Sequence, residues 1–196
     1  MTAVLRSYAL PDLPALYRVC LLTGDAGANA SRLYSDPDLL GHIYLGPYLA
    51  LEPKLVVVLA DSTGVAGYAV GTADTREFEE RAEREWWPLV RERYPPPEGD
   101  PATADERLAQ LLWQRHIPAD DVLHRYPAHL HIDLLPRIQG IGAGRRTMQR
   151  LLALLAATGA PGVHLDVSPR NVRARGFYAH LGFAELATEG LMGKPL

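Results

Sequence analysis

Cysteine is almost absent from this chain. Cys20 stands alone among 196 residues, so an internal disulfide cannot form. Its neighbours Leu16, Val19 and Leu21 put it on the apolar side of a helix, where a free thiol behaves as a small hydrophobe. Lysine is nearly missing too: Lys54 and Lys194 stand against 18 arginines, a bias expected of a GC-rich bacterial genome. No run approaches the ~18 apolar residues that a membrane-spanning helix needs. The opening MTAVLRSYALPDLPALY has no basic segment leading into an apolar one, so a cytoplasmic location with no membrane partner is expected. Excess positive charge is lacking as well. The net charge of -3 gives no ground for a nucleic-acid surface.

What remains is ordinary globular composition, 47% hydrophobic and 22% charged, and enough chain to bury a core. A single domain over 1–196 is expected. Periodicity predicts a short strand over 3–8 and a helix over 11–23. A second helix is expected over 36–44, capped by Asp36 with Pro37 in its first turn, followed by the aromatic and irregular GHIYLGPYLAL. KLVVVLA (54–60) and VAGYAVG (65–71) flank a turn at 61–64 and read as an antiparallel hairpin. From Asp74 the chain changes character. TREFEERAEREWWPLVRER carries the alternating charge of a solvated helix that Pro88 should kink or end. YPPPEGDP is a rigid loop, and helical spacing returns over 104–116. The stretch 74–127 reads as a helical insertion between strands.

The second half carries the chemistry. In HLHIDLL (129–135) Leu130, Ile132 and Leu134 share one face, and His129, His131 and Asp133 the other. A glycine loop and then a helix through about Thr158 follow, with Met148, Leu151, Leu152 and Leu155 as its apolar stripe. GVHLDV (162–167) is a strand, Asn171–His180 a helix, and a last strand lies near Phe183. Strand, helix, strand in this order predicts two parallel strands joined by a crossover.

A glycine-rich turn between strand and helix lets backbone N–H groups approach phosphate oxygens, at the positive end of the helix dipole. The ligand expected here is an anion. The loop lacks the G-x-x-x-x-G-K-[ST] frame of a nucleoside-triphosphate site, and Gly140, Gly142 and Gly144 are spaced G-x-G-x-G rather than as a dinucleotide fingerprint. A nucleotide-binding module is thereby disfavoured.

LLPRIQGIGAG (134–144) resembles the acetyl-CoA-binding signature of the GNAT acetyltransferase superfamily, and NVRARGFYAHLGF (171–183) resembles its second signature. The two occur in order, separated by one helix and one strand. The stretch before the first central strand and the wording YPAHLHIDLLP look more like the acetyltransferase-like C-terminal domain of animal O-GlcNAcases and its bacterial relatives. The resemblance implies an α/β GNAT fold: a mixed central sheet flanked by helices, with the helical insertion preceding the strand that binds acetyl-CoA.

It also implies roles. Backbone N–H groups from Gln139 through Gly140, Ile141, Gly142 and Ala143 to Gly144 would hold the pyrophosphate of acetyl-CoA. Backbone groups of Leu134 and Leu135 would align the pantetheine and face the thioester carbonyl. Arg145, and less so Arg146, would reach phosphates unless they simply face water. Asn171, Ala174 and Phe177 belong to the second signature, where Asn171 caps the helix and contacts the pantetheine arm. Tyr178 matches the tyrosine that protonates the departing thiolate. The partner is then an amine, small molecule or protein lysine, which must lose a proton before attack. Asp133 first and His131 second are the base candidates, against the alternative of a buried Asp–His pair that only orients loops. No metal-ligand spacing accompanies the cluster. Trp86, Trp87 and Trp113, with Tyr44 to Tyr48, are candidate walls for the acceptor pocket. The expected function is N-acetyl transfer in a ternary complex, and its alternative is an acyl-CoA-binding pseudoenzyme.

Overall fold

Alternating side chains build the sheet. Val56, Val58, Tyr68 and Val70 belong to one apolar layer, whereas Val57, Ala69, Leu130 and Val163 belong to the other, as the two-residue period of extended chain requires. The computed structural model describes residues 3–114 and 117–196. Its strands are β1 (Val4–Ser7), β2 (Val56–Asp61), β3 (Gly64–Thr72), β4 (Ala128–Leu134), β5 (Gly162–Asp166), β6 (Ala184–Glu185) and β7 (Leu191–Pro195). They form one sheet in the order β1-β2-β3-β4-β5-β7-β6. Every neighbouring pair is antiparallel except β4 with β5.

Helices cover both faces. Before β2 lie α1 (Leu13–Thr23), α2 (Leu39–Tyr44) and α3 (Gly46–Leu51), and between β3 and β4 lie α4 (Thr75–Glu85), α5 (Trp87–Arg93), α6 (Ala104–Leu111) and α7 (Asp120–Arg125). The crossover from β4 to β5 is α8 (Ala143–Ala157), and α9 (Val172–His180) precedes β6. One layer packs Leu16, Leu45, Tyr48, Phe78 and Leu108 on the sheet. The other packs Met148, Leu151 and Leu155 of α8, each contributing roughly 1.5–3 kcal/mol through burial. This is the expected mixed sheet between helical layers. No helix among the described residues is long and apolar enough to cross a membrane.

Several boundaries differ from the sequence reading, each for a local reason. Asp36 does not cap α2. Its Oδ1 accepts from the N–H of Asp38 at 2.9 Å, a side-chain turn that delays the helix to Leu39. The aromatic stretch expected to be irregular is helical, with Pro47 in the first turn of α3, a place where a missing N–H costs nothing. Pro88 likewise sits in the first turn of α5, two residues past the break at Trp86. The expected helix over 104–116 ends at Leu111; Arg115 and His116 lie outside the described residues. β7 was missed altogether. LMGKP lacks a regular alternation, yet it fills the sheet between β5 and β6.

The centre of the sheet splits. β4 and β5 pair only at Ala128↔Val163 and His129↔His164. Beyond that point β4 continues along β3, with Tyr68↔Asp133 and Gly67↔Leu134 in register, while β5 continues along β7. The parting opens a cleft between the two central strands.

Gly67 holds β3 and β4 together at the edge of this cleft. A Cβ there would come within 2.5 Å of Leu134 Cδ2 and 2.7 Å of the Asp133 carbonyl oxygen, and the backbone atom cannot give way. Gly67→Ala should cost about 1–3 kcal/mol of stability. Urea denaturation measures this, and an unchanged midpoint would mean the strands tolerate separation.

Candidate active site

The glycine loop opens onto the cleft. Gly140 and Gly142 have φ of 78° and 75°, the left-handed region that other residues enter only at a cost. No atom lies within 4 Å of a Cβ built at either position. Both glycines are exposed, so backbone is presented with nothing above it. Gly142 is also the N-cap of α8, and no side chain caps it. The first helical bond of α8 runs from the Arg146 N–H to the Gly142 carbonyl, at 3.2 Å. Among the described residues the N–H groups of Gly140 to Arg145 therefore have no acceptor, which leaves six donors in the loop and first turn at the positive end of a 15-residue helix. This cradle fits a pyrophosphate.

Two expected donors are otherwise engaged. The Gln139 N–H donates to the Pro136 carbonyl at 3.1 Å, and its side-chain Nε2 donates to the Leu134 carbonyl at 2.7 Å. Gln139 thus braces the loop, and the free series begins at Gly140. The Leu135 N–H donates to the Ala66 carbonyl at 2.8 Å, so it faces β3 rather than the cleft. Alternation along an antiparallel ladder then turns the N–H of Leu134 the other way, toward β5, where pairing has stopped. Behind the loop, Gly144 packs close to Leu134 and Phe177: an added Cβ would lie 3.0 Å from Leu134 Cδ1 and 3.3 Å from Phe177 Cζ. Arg145 and Arg146 are exposed on the first turn of α8.

The polar face of β4 divides into structural and available groups. His129 is buried with both ring nitrogens used, Nε2 against the Tyr48 hydroxyl at 2.6 Å and Nδ1 against the Thr75 hydroxyl at 2.8 Å. His164 is held by the Tyr126 carbonyl at 2.7 Å from Nδ1. Among the described residues Asp133 forms no pair with a histidine. Its Oδ2 accepts from the Tyr68 hydroxyl at 2.6 Å, and its Oδ1 lies 2.9 Å from the Thr23 hydroxyl. Burial raises its pKa, against the lowering by these two hydroxyls. His131 is half-buried, and its ring stands 6.3 Å from that of Tyr44 and 5.4 Å from that of Tyr48. Desolvation, then the nearby His164, pushes its pKa down to about 4.

Of the expected aromatic walls, Tyr44 stands against His131 of β4. It is 37% exposed, yet burial first, then Tyr34, Cys20 and Asp166, push its phenol up to about 12. The tryptophans lie elsewhere: Trp86 donates to the His42 carbonyl at 2.9 Å, Trp87 is in the core, and Trp113 donates to the Tyr94 carbonyl at 3.2 Å.

On the far side of the cleft α9 begins as the sequence predicts, with Asn171 Oδ1 accepting from the Ala174 N–H at 3.0 Å. Tyr178 is buried on this helix beside Phe183, at 5.8 Å between ring centroids. Burial, and then the charge of Asp133, hold its phenol well above its ordinary pKa. Tyr178 and Asp133 therefore share one electrostatic neighbourhood, although they come from opposite helical layers.

Residues 30–183 match the Acetyltransferase (GNAT) family. The chain belongs to the GNAT acetyltransferase family. The narrower resemblance holds as well. Protein O-GlcNAcase of Rattus norvegicus is 29% identical over 185 residues, which are 93% of this chain and 20% of that protein; the GNAT chain thus spans about a fifth of the length of this curated relative. The crystal structure of SsHAT aligns with 100% of this chain and 98% of its own, at 39% identity and a TM-score of 0.92. A GNAT superfamily phosphinothricin acetyltransferase from Sinorhizobium meliloti, solved with AcCoA, covers 100% of this chain and 89% of its own at 18% identity and a TM-score of 0.57, a likeness of fold. Acetyl-CoA is the cosubstrate that the GNAT family uses.

The histidine environment makes stability depend on pH. Folding depresses the His131 pKa to about 4, below the roughly 6.5 of an unfolded imidazole. Between those values the unfolded state binds more protons, so stability is full above about pH 6.5 and falls as pH drops toward 4. The loss from His131 alone amounts to roughly 3 kcal/mol at most. His129, lowered by the same burial, adds in the same sense, while the raised Asp133 opposes. Urea unfolding of wild type and His131→Gln at pH 7 and pH 5 checks this. The variant should lose less stability on acidification, and an equal loss in both would show the imidazole to be solvated.

Proposed function

We propose that this chain acts as one acetyltransferase domain that moves the acetyl group of acetyl-CoA directly to the nitrogen of an amine, both substrates being bound together. The observation that carries the reading is the split between β4 and β5. In support, the glycine loop, the Leu134 N–H and Asp133 lie on or just after β4 and Tyr178 lies on the helix after β5, the two strands that part.

The residues fit acetyl-CoA by chemistry as well as by signature. Six N–H groups and the dipole of α8 hold the pyrophosphate, with Arg145 in reach of phosphate charge and Arg146 beside it. Asn171, Ala174 and Phe177 flank the pantetheine arm. Acetyl-CoA supplies an acyl group already activated as a thioester. The Leu134 N–H, turned into the cleft, donates to the thioester oxygen as negative charge develops there, a contribution of the kind worth about 2.7–4 kcal/mol in other acyl-transfer sites. Asp133, directly or through water, takes a proton from the incoming ammonium, with His131 beside it. His131 stays neutral at physiological pH and can accept a hydrogen bond from the amine. Tyr178 is protonated at every working pH and gives its proton to the leaving sulfur. The acceptor approaches past Tyr44, as a small amine or a lysine side chain.

Two experiments test the parts separately. Gly142→Val places a branched side chain at a φ of 75° and over the phosphate donors, so acetyl-CoA binding by calorimetry should be lost while the protein stays folded; undiminished affinity would sink the cradle assignment. Tyr178→Phe should retain acetyl-CoA binding and lose roughly 10²–10⁴-fold in turnover at all pH values. Asp133→Asn should be most impaired at low pH and recover in part as the free amine becomes abundant. Those rates are read as thiol release across a panel of amines. Binding without amine-dependent thiol release in the wild type would make the chain an acyl-CoA-binding protein instead.

A further inference from the structure

Thr23 ends α1 and is buried, at 4% exposure. Its hydroxyl has one proton and more than one claimant. Oγ1 lies 2.8 Å from the Val19 carbonyl oxygen, 3.4 Å from that of Cys20 and 2.9 Å from Oδ1 of Asp133. One proton serves one acceptor well. With Asp133 ionised, the proton turns to Oδ1, because a hydrogen bond to a charged oxygen is roughly twice as strong as one to a neutral carbonyl. With Asp133 protonated on Oδ1, that oxygen becomes the donor, Thr23 accepts, and the hydroxyl proton turns back to Val19. Both states leave every polar atom bonded.

The second hydroxyl on Asp133 comes from Tyr68, which is fully buried and lies opposite Asp133 in the β3–β4 register; its phenol donates to Oδ2 and has the Cys20 thiol as its other neighbour. The titratable groups facing Asp133 are Tyr68 from β3, Cys20 from α1, Tyr178 from α9, and His131 along β4. Burial pushes Cys20 up to about 12 and His131 down to about 4, and it holds both tyrosines protonated. Asp133 is the member of this group left to change charge, with its pKa raised by burial against the two hydroxyls.

Resting on the assignment of Asp133 as base, we propose that Thr23 is a positioning residue: its hydroxyl switches between Asp133 and the Val19 carbonyl, so that Asp133 takes up and releases the acceptor's proton without stranding a buried polar atom. The proton count closes. The ammonium gives one proton to the Asp133 carboxylate. The C–N bond then forms and the C–S bond breaks, with Tyr178 protonating the sulfur and regaining a proton from the acetylated nitrogen. Asp133 finally releases its proton to solvent.

The test compares Thr23→Val, which keeps the shape and removes the hydroxyl, with Thr23→Ser, which restores it, and with Thr23→Ala in case valine is not tolerated. The acid limb of kcat/KM against pH should move up by about one pH unit in the valine and alanine variants, a tenfold loss on that limb, and return in serine. An unmoved limb, or a loss equal at all pH values, would overturn the switch. Infrared titration of the acetyl-CoA-free protein, with the Asp133 carboxyl band identified by subtracting Asp133→Asn, reads the same shift without turnover. A midpoint shared by wild type and Thr23→Val would also overturn it. Full turnover in Asp133→Asn would remove the base assignment itself, and is seen in a different protein from the one that tests Thr23.

Discussion

The site depends on two parallel strands that stop pairing. A continuous hydrogen-bonded sheet would seal the two helical layers from each other, since its backbone fills the space between them. Because β4 and β5 pair at only two register positions, groups of the two layers come within electrostatic reach of each other where the ladder ends. Tyr178 packs with α8 on one side, and Asp133 is held by α1 and β3 on the other, yet the carboxylate raises the phenol. The same break frees the Leu134 N–H from any strand partner. A defect in the sheet is thus what assembles the donors and the titrating groups.

Register then fixes the chemistry. Tyr68 meets Asp133 because they are opposed in the antiparallel pair, with side chains on the same face. A slip of one residue would turn Asp133 into the apolar layer of α8 and bring Ile132 and Leu134 toward α1. The small residue Gly67 lets β3 approach β4 closely at that place, and the Leu135 N–H closes the ladder just past it. Packing and chemistry are constrained by the same few residues, so a substitution chosen to probe one will disturb the other unless it preserves shape.

The glycine loop, the two faces of β4, the cap at Asn171 and the place of Tyr178 were legible in the sequence because each is local: a φ above zero favours glycine, a two-residue period sorts faces, and asparagine announces a helix start. What the sequence did not show arises from contacts distant along the chain. Thr23 and Tyr68 lie 110 and 65 residues from the aspartate they bond, and nothing in LLTGD or GYAVG marks them. The occupied N–H groups of Gln139 and Leu135 were likewise invisible, since their acceptors are chosen by the turn at Pro136 and by the neighbouring strand. β7 could be found only by knowing that β5 needed a second partner.

On the proposed assignment, the electrostatic link between Asp133 and Tyr178 orders the proton movements. While Asp133 is ionised its charge adds to burial in keeping the Tyr178 proton tightly bound. Once Asp133 has taken the proton of the acceptor, that charge disappears, and the phenol becomes a stronger acid. The change occurs after the amine has become nucleophilic and before the sulfur must be protonated. A fixed cation near Tyr178 would also strengthen the acid, but it would do so throughout the cycle and would repel the incoming ammonium. A neighbouring carboxyl that alternates between charged and neutral attracts the ammonium first and releases its hold on the phenol afterwards, which is the sequence that amine acetylation requires.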